Sequence, residues 1–96
     1  MEYHAAHMSS FPGGSAWAMA RDIGKGYLLI TDRHLLRLMS AQIDKLVFEL
    51  EKQLREARRD QPDLSDIEAL RRRNQTIQRL TGARRIVEGV RRKRRK

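Results

Sequence analysis

The last third of the chain concentrates side chains that bind phosphate. Arg71, Arg72, Arg73, Arg79, Arg84, Arg85, Arg91, Arg92, Lys93, Arg94, Arg95 and Lys96 all fall within residues 65–96. A guanidinium grips phosphate through a planar fork, and each neutralised phosphate releases counterions, so affinity for nucleic acid falls steeply with salt. The same cations suit an acidic protein surface, and a solvated basic face that aids solubility is the plain alternative. Base-specific reading would need Asn, Gln or Arg held at a groove, and nothing in the sequence fixes such a geometry. Residues 1–64 hold 9 Lys/Arg and 9 Asp/Glu, whereas residues 65–96 hold 12 and 3, so this third supplies the whole net charge of +9. An asymmetry of that kind implies an acidic partner: nucleic acid, an anionic membrane surface or an acidic protein.

A second chemically able group is acidic. In "RRDQPDLSDIEAL" (58–70) the acids Asp60, Asp63, Asp66 and Glu68 surround Pro62. Pro62 and Asp63 favour a turn, Ser65 and Glu68 have capping-box spacing, and carboxylates near a helix start meet the positive end of its dipole. A capped turn thus accounts for these acids, while a functional tip at Asp63 and Asp66 stays open. Elsewhere the chemistry is sparse. His34 lacks a second ligand one helical turn on, where Leu38 stands, so no metal site is expected. "GKG" (24–26) lacks the upstream glycine and following Ser/Thr of a phosphate loop. With no cysteine, disulfides, thiolate metal sites and Cys nucleophiles are excluded. Catalysis and a cofactor are not expected without a paired base and nucleophile.

The acidic stretch carries a resemblance. "ARRDQPDLSDIEA" (57–69), at the turn of a long helical hairpin, resembles the tip of Gre-type transcript-cleavage factors, whose coiled coil enters the secondary channel of bacterial RNA polymerase. That resemblance implies paired acids holding magnesium at the polymerase active site, with Asp63 and Asp66 as the matching pair. It covers the hairpin only, without the further domain of those factors or the zinc-ligand cysteines of the related stringent-response hairpins. In size the hairpin is also similar to small co-chaperones of type III secretion needles, which lack a basic tail. Three roles follow as expectations. One is a non-enzymatic protein binding nucleic acid or a nucleic-acid-bound machine, the second a protein-binding adaptor or chaperone, the third a polymerase-channel regulator.

The elements that must position these residues are helical. At 96 residues, with 34% charged and 5% aromatic, the chain forms one domain at most, with helices packed along narrow seams. "MEYHAAHM" has the form of a cloning junction before a native start at Met8, which would leave residues 1–7, with His4 and His7, without functional meaning. "SSFPGGS" predicts a mobile arm up to Gly14, followed by a short helix from Ser15 that stops at "GKG". "YLLIT" reads as an extended lead-in or a first helical turn. From Thr31 or Asp32 a continuous helix is expected to about Arg59, its seam formed by Leu35, Leu36, Met39, Ile43, Leu46, Val47, Leu50, Leu54 and Ala57.

Leu38, Ala41 and Phe48 fall opposite that seam. A second helix is expected from Ser65 to Arg92, first along Ile67, Leu70, Asn74, Ile77 and Thr81, then, past Gly82, along Leu80, Ala83, Val87 and Val90. Pivoting about Pro62 would set Leu50 near Asn74 and Ile43 near Leu80. A buried Asn74 would fix register, and an exposed one would be inert. The expected fold is therefore all-α: a long antiparallel, coiled-coil-like hairpin with a short N-terminal helix. It would dimerise into a bundle, or dock a partner, through Leu38, Ala41, Phe48, Ala83, Val87 and Val90. Trp17 and Tyr27 are expected to cover the second face at Leu38 and Phe48, although either could stack on a base. No apolar run reaches the roughly 18 residues of a membrane span. A soluble, cytoplasmic protein is the expectation.

Overall fold

The computed structural model describes residues 11–95. Residues 1–7 and Lys96 lie outside them. Among the described residues four helices form an all-helical bundle: α1 (Ala16–Lys25), α2 (Asp32–Leu36), α3 (Ser40–Arg59) and α4 (Ile67–Arg94). No strand occurs among the described residues.

Each boundary of α1 has a local cause. The Ser15 hydroxyl oxygen accepts from the Ala18 amide at 3.0 Å, which satisfies one of the donors orphaned at a helix start. At the other end Gly26 adopts φ +82°, and the amides of Gly26 and Tyr27 donate to the carbonyls of Ile23 and Asp22. That is a Schellman termination, which glycine makes without strain. Ala16, Ala18 and Ala20 are buried with Met19 and Ile23, so small side chains let α1 lie close against both α3 and α4. Upstream, Phe11 is buried and its carbonyl accepts from Gly14, so the expected arm is part of the fold from residue 11 onward.

Residues 27–31 run extended, with Leu28 and Ile30 turned inward and Tyr27 and Leu29 outward, the two-residue alternation of extended chain. Thr31 caps α2. The His34 ring nitrogen Nδ1 accepts from the Thr31 amide at 3.1 Å, so this histidine serves the helix start.

The continuous helix expected from Thr31 to Arg59 is interrupted at residues 37–39. On an unbroken helix Leu38 would face away from Ile43, because five residues advance the wheel by about 140°. The break turns Leu38 into the core, where it is 3% exposed beside Leu35 and Ile43. It also frees carbonyls that need partners. Helix α3 restarts with the Gln42 side-chain oxygen accepting from the Met39 amide at 2.7 Å.

Helix α3 buries Ile43, Leu46, Val47, Leu50 and Leu54 against α1 and α4. Helix α4 is 28 residues long but buries only Leu80, Ala83 and Val87, with Ile77 and Val90 packed at the core's edge. Its direction opposes that of α3, since Arg73 reaches the carbonyl of Arg58 while Arg94 reaches that of Leu38. The register differs from a pivot at Pro62. Such a pivot would put residue 58 opposite residue 66, whereas Arg73 lies there, a displacement of roughly two helical turns. Residues 60–66 form an open connection instead of a tight corner, and the first turns of α4 overhang the end of α3. Asn74 is exposed in consequence, and Arg73 Nη1 donates to its side-chain oxygen.

The start of α4 also differs in detail. Asp66, not Ser65, is the N-cap, its carboxylate accepting from the Ala69 amide at 3.0 Å. Ser65 is drawn into an Asx-type turn, donating both its amide and its hydroxyl to Asp63 at 2.9 Å.

Candidate nucleic-acid interface

Of the twelve cations expected to form one binding surface, the eleven among the described residues divide into three groups. The first closes helix ends. Arg73 Nε donates to the Asp60 carbonyl at 2.7 Å and Nη2 to the Arg58 carbonyl at 3.2 Å, which terminates α3. Arg79 Nη1 donates to the Gly24 carbonyl at 3.3 Å, at the end of α1. Arg94 donates to the Leu38 carbonyl at 2.6 Å and the Leu35 carbonyl at 2.9 Å, at the end of α2 and the break that follows. The last carbonyls of a helix lack internal partners and carry the negative end of its dipole, so a guanidinium there is doubly favoured. One helix thus supplies a cationic clasp to each of the other three.

The second group is paired with acids. Arg91 bridges Asp44 at 3.5 Å and Glu88 at 3.0 Å, and Arg84 lies 4.0 Å from Glu51 and 3.9 Å from Glu88. The pairs with Asp44 and Glu51 join α4 to α3 and those with Glu88 lie within α4, all at partly exposed positions where each contributes about 0–1 kcal/mol. Arg71 meets Glu68 at 3.4 Å on the surface.

The third group remains open. Arg72, Arg85, Arg92, Lys93 and Arg95 are exposed and have no carboxylate or carbonyl partner among the described residues. Arg85 and Arg92 are seven residues apart, so they share the outer face of α4 about 10 Å from each other along the axis. Lys93 and Arg95 extend the charge onto its last turn. A second cationic row lies on the solvent side of α3, where Lys45, Lys52 and Arg59 recur at intervals of seven beside Arg55. The signal for that row was present in the sequence as a period opposite the apolar seam. It is masked there by Asp44, Glu49, Glu51 and Glu56, which leave α3 with one positive charge in excess.

The acidic pair is occupied locally. Asp63 and Asp66 each commit a carboxylate oxygen to the turn, and Ser65 donation through amide and hydroxyl holds the Asp63 carboxyl below its usual range. No group of three His, Cys, Asp or Glu that could hold a metal occurs among the described residues.

The apolar positions expected at an interface between chains also divide. Leu38, Ala83 and Val87 are buried inside this chain and Val90 packs against its core, because the break at 37–39 and the shifted register bring them inward. Ala41 stays exposed and Phe48 is 56% exposed. Trp17 and Tyr27 leave Phe48 more than half exposed. Both are exposed, and Trp17 is stacked beneath the Arg21 guanidinium at 4.9 Å.

The chain matches no family model, no curated protein and no solved structure. Among the described residues no helix is long and apolar enough to cross a membrane.

Proposed function

We propose that this is a non-enzymatic helical protein that binds nucleic acid through the outer face and last turn of α4. The observation that carries this reading is the set of cations left without partners after every other arginine of α4 is engaged: Arg72, Arg85, Arg92, Lys93 and Arg95. Unpaired cations have no internal competitor for phosphate. Arg85 and Arg92 are also held on one face of a single long helix, which fixes the spacing at which they meet phosphates. In this reading α3 and α4 are the arms of a long antiparallel hairpin, α1 props them from one side, and the cytoplasm is the working compartment. The binding unit is one chain, because most of the face expected to recruit a second copy is used internally.

The test is binding of a fluorescent duplex at rising salt. Four neutralised phosphates give a slope of about −3.5 in log affinity against log salt concentration. Replacing Arg85 and Arg92 together by Ala should lower the slope by about 2 without loss of fold. An unchanged slope, or no binding at low salt, sinks the reading.

One observation favours a protein partner as a second reading. A hollow of about 310 Å³ between the end of α1 and α4 is lined by Leu28, Leu29, Ile30, Ala83 and Ile86, with Leu29 83% exposed. An apolar side chain of a partner would fit such a hollow.

A further inference from the structure

Beside that apolar hollow lies another of about 340 Å³, lined by Lys25, Tyr27, Arg72, Gln75, Thr76 and Arg79. Its composition is unlike the rest of the surface. Three cations, two uncharged hydrogen-bonding side chains and one aromatic ring line it, and no carboxylate does. We infer that this hollow holds one unstacked nucleotide of single-stranded nucleic acid, its base against Tyr27 and its phosphate between Lys25, Arg72 and Arg79.

Several features support the assignment, which rests on the nucleic-acid reading above. Tyr27 is 78% exposed, so its ring has no packing role inside the chain. A scattered exposed apolar residue is ordinary, but one set among cations in a hollow that no carboxylate lines has the composition of a base-stacking platform. The platform is held in place. The Tyr27 amide donates to the Asp22 carbonyl at 2.8 Å, fixing the backbone just past the α1 terminus. Arg79 is fixed as well: one nitrogen is bound to the Gly24 carbonyl, and its guanidinium lies so close over Gly26 that a Cβ there would be 2.8 Å from Cζ. The other guanidinium nitrogens still offer donors to a phosphate. Lys25 and Arg72 carry no ion pair among the described residues. Gln75 and Thr76 supply a donor and acceptors for a base edge, without the fixed pairing that would demand one base.

A base inside a duplex is stacked on both faces and cannot present itself to Tyr27. A flexible strand can splay one out, which is how aromatic platforms select single strands without reading sequence. The site therefore adds a preference for strand form to a surface that otherwise senses only charge.

The experiment compares a fluorescein-labelled 12-mer of dT with a blunt 12-base-pair duplex by anisotropy at matched salt. The single strand is expected to bind more tightly. Tyr27→Ala should weaken it about tenfold, within the range for one lost stacking contact, and leave duplex affinity and melting temperature unchanged. Tyr27→Phe should retain wild-type affinity, and Arg72→Ala should lower the single-strand salt slope by about 0.7. Equal affinity for both forms, with Tyr27→Ala silent, overturns the nucleotide site and leaves the outer-face reading standing. Absence of salt-dependent binding to either form overturns both.

Discussion

Arg92 and Arg94 stand two residues apart in the run "RRKRRK", yet their replacement should have opposite consequences. Arg94 donates two hydrogen bonds, to Leu38 and Leu35, at the point where the chain breaks between α2 and α3. Both bonds are partly buried, and a charged donor contributes about 1.5–3 kcal/mol per bond in favourable cases. Allowing for solvent screening of an exposed arginine stem, about 1 kcal/mol per bond is the working figure. Arg94→Met keeps the apolar stem but removes both charged donors, leaving the Leu38 carbonyl unsatisfied and the Leu35 carbonyl with the Leu38 amide alone, so it should cost about 2 kcal/mol. For a domain of this size that is roughly a 10 °C loss in melting temperature, and a urea midpoint lower by about 1–2 M with unchanged slope. Arg94→Lys keeps the charge but not the fork, and should recover about half of the loss. Arg92→Met touches nothing and should stay within about 0.5 kcal/mol of wild type. In the salt titration the order reverses, with Arg92→Met lowering the slope and Arg94→Met leaving it in place. Urea midpoints that agree for Arg94→Met and Arg92→Met would refute the division of the arginines into clasps and free cations.

Three further outcomes follow from the local geometry. Gly26→Ala places a Cβ at φ +82° and 2.8 Å from Arg79 Cζ, so urea unfolding should show a loss of about 2 kcal/mol, whereas Gly14→Ala, at φ +98° but with open space around it, should lose only about 1 kcal/mol. Asp66→Ala removes the α4 N-cap and should cost about 1 kcal/mol, with faster hydrogen exchange at the Ala69 amide, while Asp66→Asn, an equally good cap, should be nearly neutral. The Asp63 carboxyl is held below its ordinary value of 3.8 by the Ser65 amide and hydroxyl, so the turn it stabilises is intact above that pH and loosens as pH falls through the lowered value. An NMR titration of the Ser65 amide should therefore show a midpoint below 3.8, and Asp63→Asn should abolish it.

Much of the element order was legible because its signals are local. Ser15 and Gly26 bound α1 as their residue types imply, and the apolar seam of α3 is buried as its spacing requires. The break at 37–39 left a trace in the sequence, since Leu38 falls off the seam. A periodicity argument reads such a residue as a second apolar face, whereas the chain resolves the conflict by bending until Leu38 joins the first. The cap of α4 went to Asp66 because Ser65 and Asp66 are both competent, and the preceding Asp63 claims Ser65 for its own turn. The roles of the arginines were not legible at all. Charge is visible in a sequence, but the acceptors for Arg73, Arg79 and Arg94 are backbone carbonyls, which every residue possesses, so only the packed arrangement selects them. The hollow at Tyr27 is hidden for the same reason, since its walls come from residues some fifty positions apart.

The clasps also order events in time. Arg79 binds a carbonyl 55 residues back, and Arg94 binds carbonyls 56 and 59 residues back. On a ribosome, which releases the N-terminus first, α1, α2 and α3 would emerge with their C-terminal ends unclosed until α4 follows. A helical protein would ordinarily fold quickly through neighbouring contacts, but here closure waits on the most distant ones. Helix α4 therefore acts as the latch of the bundle, and nascent chains that stop short of Arg94 should remain open to proteases.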